Sequence, residues 1–142
     1  MDIGTGVLLF VAYRAIENRA MAAAKDAGYT DITLAQARIG QRIGPDGTRL
    51  TRLAEQAQVT KQTAGFLVDQ LESAGYVERV PDPADGRARL IRLSPRGTDV
   101  AAVANAEVAR VEQEWRDHLG AAAYGDLRSA LLTLREITDP YR

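Results

Sequence analysis

Residues 51–76, TRLAEQAQVTKQTAGFLVDQLESAGY, carry apolar side chains at helical spacing with a single interruption. Leu53, Ala54, Val59, Leu67 and Leu71 supply one apolar face, so the stretch reads as two helices sharing a core. Thr51 and Thr60 are of the type that accepts a hydrogen bond from the backbone at a helix start. Gly75 followed by Tyr76 has the form of a Schellman end. Only Gln58 and Val59 separate the first helix from the cap of the second. A connection that short between two helices predicts a helix-turn-helix.

Working outward, VERV (77–80) and RARLIRL (87–93) read as two short strands, and PDPADG (81–86) between them is rich in reversal residues. Ser94-Pro95 then supplies a cap with proline at the first helical position, opening a helix to about Leu119. Its Val100, Val103, Val108, Val111, Trp115 and Leu119 keep to one side. After Gly120 a last helix places Tyr124, Leu127, Leu131 and Leu134 at alternating steps of three and four, a coiled-coil-like seam. Upstream, residues 6–27 read as a helix stopped by Gly28. Val7, Leu8, Leu9, Phe10 and Val11 cannot all face one small core, so either a second subunit covers this end or the helix is buried in a monomer. In TLAQARIGQRIGPDG (33–47), Thr33 and Gln36 form a capping box, Gly44-Pro45 ends the helix, and a short helix follows the turn.

A helix-turn-helix leading directly into a hairpin is a winged helix-turn-helix, mainly α with a small β-hairpin wing. The second helix of such a pair enters the DNA major groove, and the hairpin reaches the backbone or the minor groove. The chain divides into an N-terminal dimerisation helix (1–30), a winged helix-turn-helix DNA-binding domain (31–97) and C-terminal dimerisation helices (98–142). A formal charge of −1 is compatible with this because charge is uneven. Residues 49–97 hold eight Lys/Arg and six Asp/Glu, a net +2, against ten and thirteen, a net −3, in the rest. Arg87, Arg89, Arg92 and Arg96 crowd the hairpin and its exit, where they can neutralise phosphates without making the whole protein basic.

These residues resemble the MarR-type regulators of transcription, over LAEQAQVTKQTAGFLVDQLESAGYVER (53–79) and DPADGRARLIRLSPRG (82–97), with one long helix before and two after. The resemblance implies two-fold dimers formed through the terminal helices, a wing arginine that enters the minor groove, and a nearby aspartate that orients it. By position these are Arg87 and Asp85, with Arg89 beside them. The alternative for Asp85 is that it only shapes the turn. Thr60, Lys61, Gln62 and Thr63 open the recognition helix. Gln62 is suited to pair with adenine and Lys61 to meet phosphate, against the plainer reading of a solvated first turn. Gly65 and Phe66 depart from the family pattern, as does Gln70, which stands where a basic residue is common. Gly65 is read as letting the backbone approach DNA. A homodimer would set two recognition helices in successive major grooves of a near-palindromic double-stranded operator.

The resemblance also implies a ligand-responsive repressor whose small anionic aromatic effector binds between the helical dimer region and the winged helix. Tyr13, Arg14 and Tyr29 are the candidates to line that site, although such residues are equally common at core edges. With no cysteine, the response must be reversible binding rather than thiol oxidation. A single histidine, His118, and the absence of any nucleophile–base–orienter set argue against an enzyme, a metal site or a cofactor. The rival is a winged-helix protein-interaction module that does not bind DNA. GVLLFVAY (6–13), the longest apolar run, is too short to span a membrane, and no basic residue precedes it as in a signal peptide, so a cytoplasmic protein is expected.

Overall fold

A computed structural model of the chain describes residues 2–141. Its elements are α1 (Thr5–Asp26), α2 (Leu34–Gly40), α3 (Leu50–Ala57), α4 (Lys61–Ser73), β1 (Val77–Asp82), β2 (Asp85–Leu93), α5 (Pro95–Leu119) and α6 (Ala121–Thr138). They fall into two compact units. The chain up to Thr30 with Ala102–Thr138 forms a terminal-helix unit, and Asp31–Ala101 with the residues from Asp139 onward forms a winged-helix unit. No helix among the described residues is long and apolar enough to cross a membrane.

In the winged-helix unit, α2, α3 and α4 pack on one another and α4 packs on β1. The core is Ile39, Leu53, Ala54, Ala64, Leu67, Val68, Leu71, Tyr76, Val77, Ile91 and Val100, all buried. Helix starts follow local chemistry at three places. Thr33 and Gln36 exchange both bonds of a capping box, the Thr60 hydroxyl accepts from the Thr63 amide at 3.0 Å, and Ser94 accepts from the Gly97 amide at 3.1 Å. Helix α4 ends in a Schellman motif. The Tyr76 amide donates to the Leu71 carbonyl at 2.8 Å and the Gly75 amide to the Glu72 carbonyl at 3.0 Å, with Gly75 left-handed at φ 82°.

Gly97 answers to a different requirement. A Cβ there would stand 2.0 Å from the Tyr76 carbonyl oxygen. Only glycine lets the first turn of α5 lie against the exit from α4.

The wing is an antiparallel pair with Val77 opposite Leu93, Arg79 opposite Ile91 and Pro81 opposite Arg89, and with an irregularity at Pro81/Asp82. Both strands run longer than the sequence pattern indicates, leaving only residues 83–84 as the turn.

Residues 41–51 differ most from expectation. Helix α2 ends at Gly40 rather than at Gly44-Pro45, because the amides of Arg42 and Ile43 turn back three residues to Ile39 and Gly40. That tighter bonding runs the helix out. The short helix expected next does not form. Thr48 instead pairs with Ile91 as a one-residue third strand of the wing, with bonds of 2.8 and 2.9 Å. Pinned there, the chain enters α3 immediately, so Arg49 holds the cap position and Thr51 lies inside the first turn. Val59 is not core; it is 37% exposed.

In the terminal-helix unit, the Arg19 guanidinium on α1 bonds Glu107 at 2.9 Å and Glu114 at 2.8 Å on α5. Both carboxyls are held below the usual carboxylate range, Glu107 by Arg110 and then Arg19, Glu114 by Arg19. Arg116 stacks over the buried Tyr124 ring at 4.7 Å. The large apolar side chains of this unit are mostly exposed, including Val7, Leu8, Phe10 and Val11 on α1 and Leu127, Leu131 and Leu134 on α6.

Candidate nucleic-acid interface

Helix α4 turns Ala64, Leu67, Val68 and Leu71 into the core and leaves Lys61, Gln62, Thr63 and Phe66 exposed. Its entry is fixed by the αL residue Gln58 (φ 57°) and by the Thr60 cap. The Thr60 hydroxyl is used internally twice, since it also donates to Thr63 Oγ1 at 2.9 Å. Lys61 and Gln62 make no side-chain bond to the described residues. Gly65 is half-buried, and a Cβ there would meet Leu50 Cδ2 at 3.7 Å, an ordinary contact. Its bare backbone is therefore turned at least partly toward α3.

The orientation of α4 is held from several sides. Gln36 Nε2 donates to Gln70 Oε1 at 3.0 Å, so the residue standing in place of a base is committed to α2. Arg79 on β1 reaches back to Asp69 and Glu72, each at 2.7 Å. At the far end the Arg96 guanidinium donates to the Ala74 carbonyl, stacks on the Tyr76 ring at 4.2 Å and bonds Asp31. The Tyr76 hydroxyl also donates to Asp31. These donors hold the Asp31 carboxyl below the usual carboxylate range, Tyr76 contributing most and Arg96 next.

The four hairpin arginines separate accordingly. Arg96 is a structural tie. Arg92 faces Glu78 across the ladder at 3.4 Å. Arg89 donates to the Arg79 carbonyl at 3.1 Å and has no carboxylate partner among the described residues. The guanidinium of Arg87 bonds none of the described residues and is exposed next to the turn.

Asp85 meets Arg87 through the backbone: its Oδ1 accepts the Arg87 amide at 3.0 Å. Its Oδ2 lies 3.8 Å from Arg49. Arg49, which the sequence pattern does not single out, pairs with the buried Asp82 at 2.7 Å. The Ala84 amide first, and Arg49 second, hold the Asp82 carboxyl below its usual range. The wing turn is thus shaped by two aspartates that each accept a backbone amide two residues ahead, and Arg49 anchors it to the start of α3.

Of the candidate effector residues, Tyr13 and Arg14 come together on one carboxylate, donating to Glu17 at 2.8 and 2.6 Å. Tyr29 is not brought to them. Its amide closes the other end of α1, bonding the Ala24 carbonyl at 3.0 Å, roughly 20 Å away along a helix rising ~1.5 Å per residue. Among the described residues no cluster of His, Asp or Glu has a metal-binding arrangement.

Residues 30–88 match the model of the MarR family. The fold matches that of the transcriptional regulator Tm0710 from Thermotoga maritima at 26% identity, over 94% of this chain and 93% of that one, with a TM-score of 0.62. It also matches NadR, crystallised in complex with 4-hydroxyphenylacetate, at 23% identity over 96% and 95% of the two chains, TM-score 0.74. A mutant MarR from E. coli complexed with operator DNA aligns at 24% identity over 91% of each chain, TM-score 0.70. A comparison with curated protein sequences finds no match. The helix-turn-helix and most of the wing thus lie inside the segment that matches the MarR family model, and the chain shares along nearly its whole length the winged-helix architecture of MarR-type transcriptional regulators.

Proposed function

We propose that this DNA-binding regulator is a ligand-responsive repressor that binds a near-palindromic operator as a homodimer in the cytoplasm. In this reading 31–97 is the DNA-binding domain, and 1–30 and 98–142 join the two copies. The observation that carries it is the state of the charged and polar groups on the winged-helix unit. Most are committed to internal pairs, while the side chains of Lys61 and Gln62 on α4 and of Arg87 on the wing bond none of the described residues. Lys61 and Arg87 neutralise phosphates or enter the minor groove, Arg89 assists, and Gln62 with Thr63 faces base edges. Thr60 sets the first turn and Asp85 sets the turn of the wing, while Phe66 continues the exposed face and Gly65, half-buried beside it, adds no side chain there.

A small anionic aromatic effector supplies the response, with Tyr13 and Arg14 as its candidate contacts and Tyr29, at the far end of α1, outside that site. It must displace Glu17 from Arg14 to use that charge. An effector favouring the DNA-incompetent arrangement ~100-fold supplies about 2.7 kcal/mol of coupling. By linkage, operator DNA weakens effector binding by the same factor.

One observation favours a protein-binding module instead: Phe66, in the middle of α4, is 62% exposed. The deciding experiment is recovery of genomic fragments on the purified protein, followed by affinity measurement across salt concentrations. A DNA-binding regulator loses affinity linearly in log–log terms as phosphate counterions compete, whereas an apolar protein interface barely responds. No enrichment of any fragment, with salt-insensitive weak binding, overturns the proposal.

A further inference from the structure

In the winged-helix unit, the described residues leave two large apolar side chains well exposed, Val59 at 37% and Phe66 at 62%. Both belong to the helix-turn-helix, one just before the cap of α4 and one on α4 itself. Phe66 follows Gln62 by four residues, so the two side chains lie one above the other on the face of α4 turned away from Ala64, Val68 and Leu71. Asp69, next along that face, would repel a phosphate backbone, but Arg79 holds it at 2.7 Å. Neighbouring Gly65 has no side chain to crowd the ring.

We propose that Phe66 is a specificity-determining residue that reads the C5-methyl group of a thymine in the major groove. The inference rests on α4 being the DNA-reading helix. In that groove base edges present hydrogen-bond donors and acceptors, which Gln62 can use and a phenyl ring cannot. The thymine methyl is the apolar feature of the groove, and contact with it withdraws both surfaces from water. Four residues of helix advance ~6 Å, about two base-pair steps of ~3.4 Å. The thymine therefore lies about two base pairs from the base read by Gln62.

The experiment replaces each operator thymine in turn by deoxyuridine, symmetrically in both half-sites, which deletes the methyl and leaves pairing intact. Affinity is measured by fluorescence anisotropy at fixed salt for the full chain and for Phe66→Ala. For the unsubstituted protein, one thymine position should show a loss of about fourfold per methyl, the equivalent of ~0.8 kcal/mol, or about 15-fold for both half-sites if they add. Phe66→Ala, confirmed folded by its thermal transition, should bind the thymine and deoxyuridine operators equally. Two results overturn the proposal: deoxyuridine tolerated at every position by a protein that does bind the operator, or Phe66→Ala keeping the unsubstituted protein's thymine preference. In either case DNA binding itself stands. Failure to bind any DNA removes the reading of α4 and this inference together, so the two failures are distinguishable.

Discussion

In the winged-helix unit Ile39, Leu53, Val68, Leu71 and Tyr76 are at most 1% exposed, whereas in the terminal-helix unit Val7, Leu8, Phe10 and Val11 are each more than half exposed. The first unit closes its core with its own residues. The second buries Ala24, Val111 and Tyr124 and leaves the seam of α6 open, with Leu131 at 42% and Ile137 at 83%. Apolar surface on that scale marks a site of association. The contrast teaches that the two units answer to different constraints: α2 to β2 bury their apolar residues, while α1 and α6 leave apolar side chains uncovered, which the proposed homodimer would cover.

The largest effect should come from charging that surface. Phe10→Glu or Leu131→Glu should reduce the mass by light scattering from about twice 15.4 kDa to 15.4 kDa. Operator affinity should fall by roughly 10²–10⁴, because the second half-site is no longer engaged within one particle. A monomeric mass for the unsubstituted protein at micromolar concentration would break the comparison at its root.

Next in size is Leu53→Ala. Leu53 has no exposure, and truncating such a residue costs ~2–5 kcal/mol including the cavity left behind. Because the loss falls in the winged-helix unit, operator binding should be lost at a lower temperature while the dimeric mass persists, and calorimetry should show the melting of that unit moving alone. If both transitions shift together, the units are not energetically separable.

Legibility from sequence follows the same boundary between local and non-local physics. The Thr33–Gln36 box, the Thr60 cap, the Gly75 end and the Ser94-Pro95 start each need only residues a few positions apart, and all are found as expected. Thr51 looks equally good as a cap and does not act as one, because a strand 43 residues away at Ile91 captures Thr48 first. The hairpin arginines look alike in sequence. What separates Arg96 from Arg87 is Asp31, 65 residues from Arg96 in the chain, and no local pattern carries that information. Arg49 was invisible for the same reason, its partner Asp82 lying 33 residues on.

That separation sets a mid-sized prediction. Arg87→Ala should weaken operator binding by ~1–3 kcal/mol, roughly uniformly across sequences, and reduce the salt slope by about one. Gln62→Ala should instead relax discrimination at one base position. Arg96→Ala should lower thermal stability through the loss of its ties to Asp31 and Ala74. If Arg96→Ala and Arg87→Ala prove equivalent in anisotropy and in melting, the assignment of the arginines by their internal partners fails.

The smallest expected effect concerns two helix ends of identical hydrogen bonding and different occupants. Helix α3 closes as α4 does: the Val59 amide donates to the Ala54 carbonyl at 3.0 Å and the Gln58 amide to the Glu55 carbonyl at 3.1 Å. In α4 the left-handed position is Gly75, and in α3 it is Gln58, at φ 57°. A residue with a Cβ in that conformation carries ~1–2 kcal/mol of steric cost. Glycine removes this cost but widens the unfolded ensemble by ~0.4–1 kcal/mol. Gln58→Gly should therefore stabilise the winged-helix unit by about 0.5–1 kcal/mol, a gain of a few degrees in melting temperature. Gly75→Ala should destabilise it by a similar amount through the backbone alone, since a Cβ at Gly75 meets nothing within 4 Å. Gln58 is exposed, so operator affinity should stay the same. A fall in affinity for Gln58→Gly at unchanged or raised stability would mean that the Gln58 side chain touches DNA and that its left-handed geometry is kept for recognition.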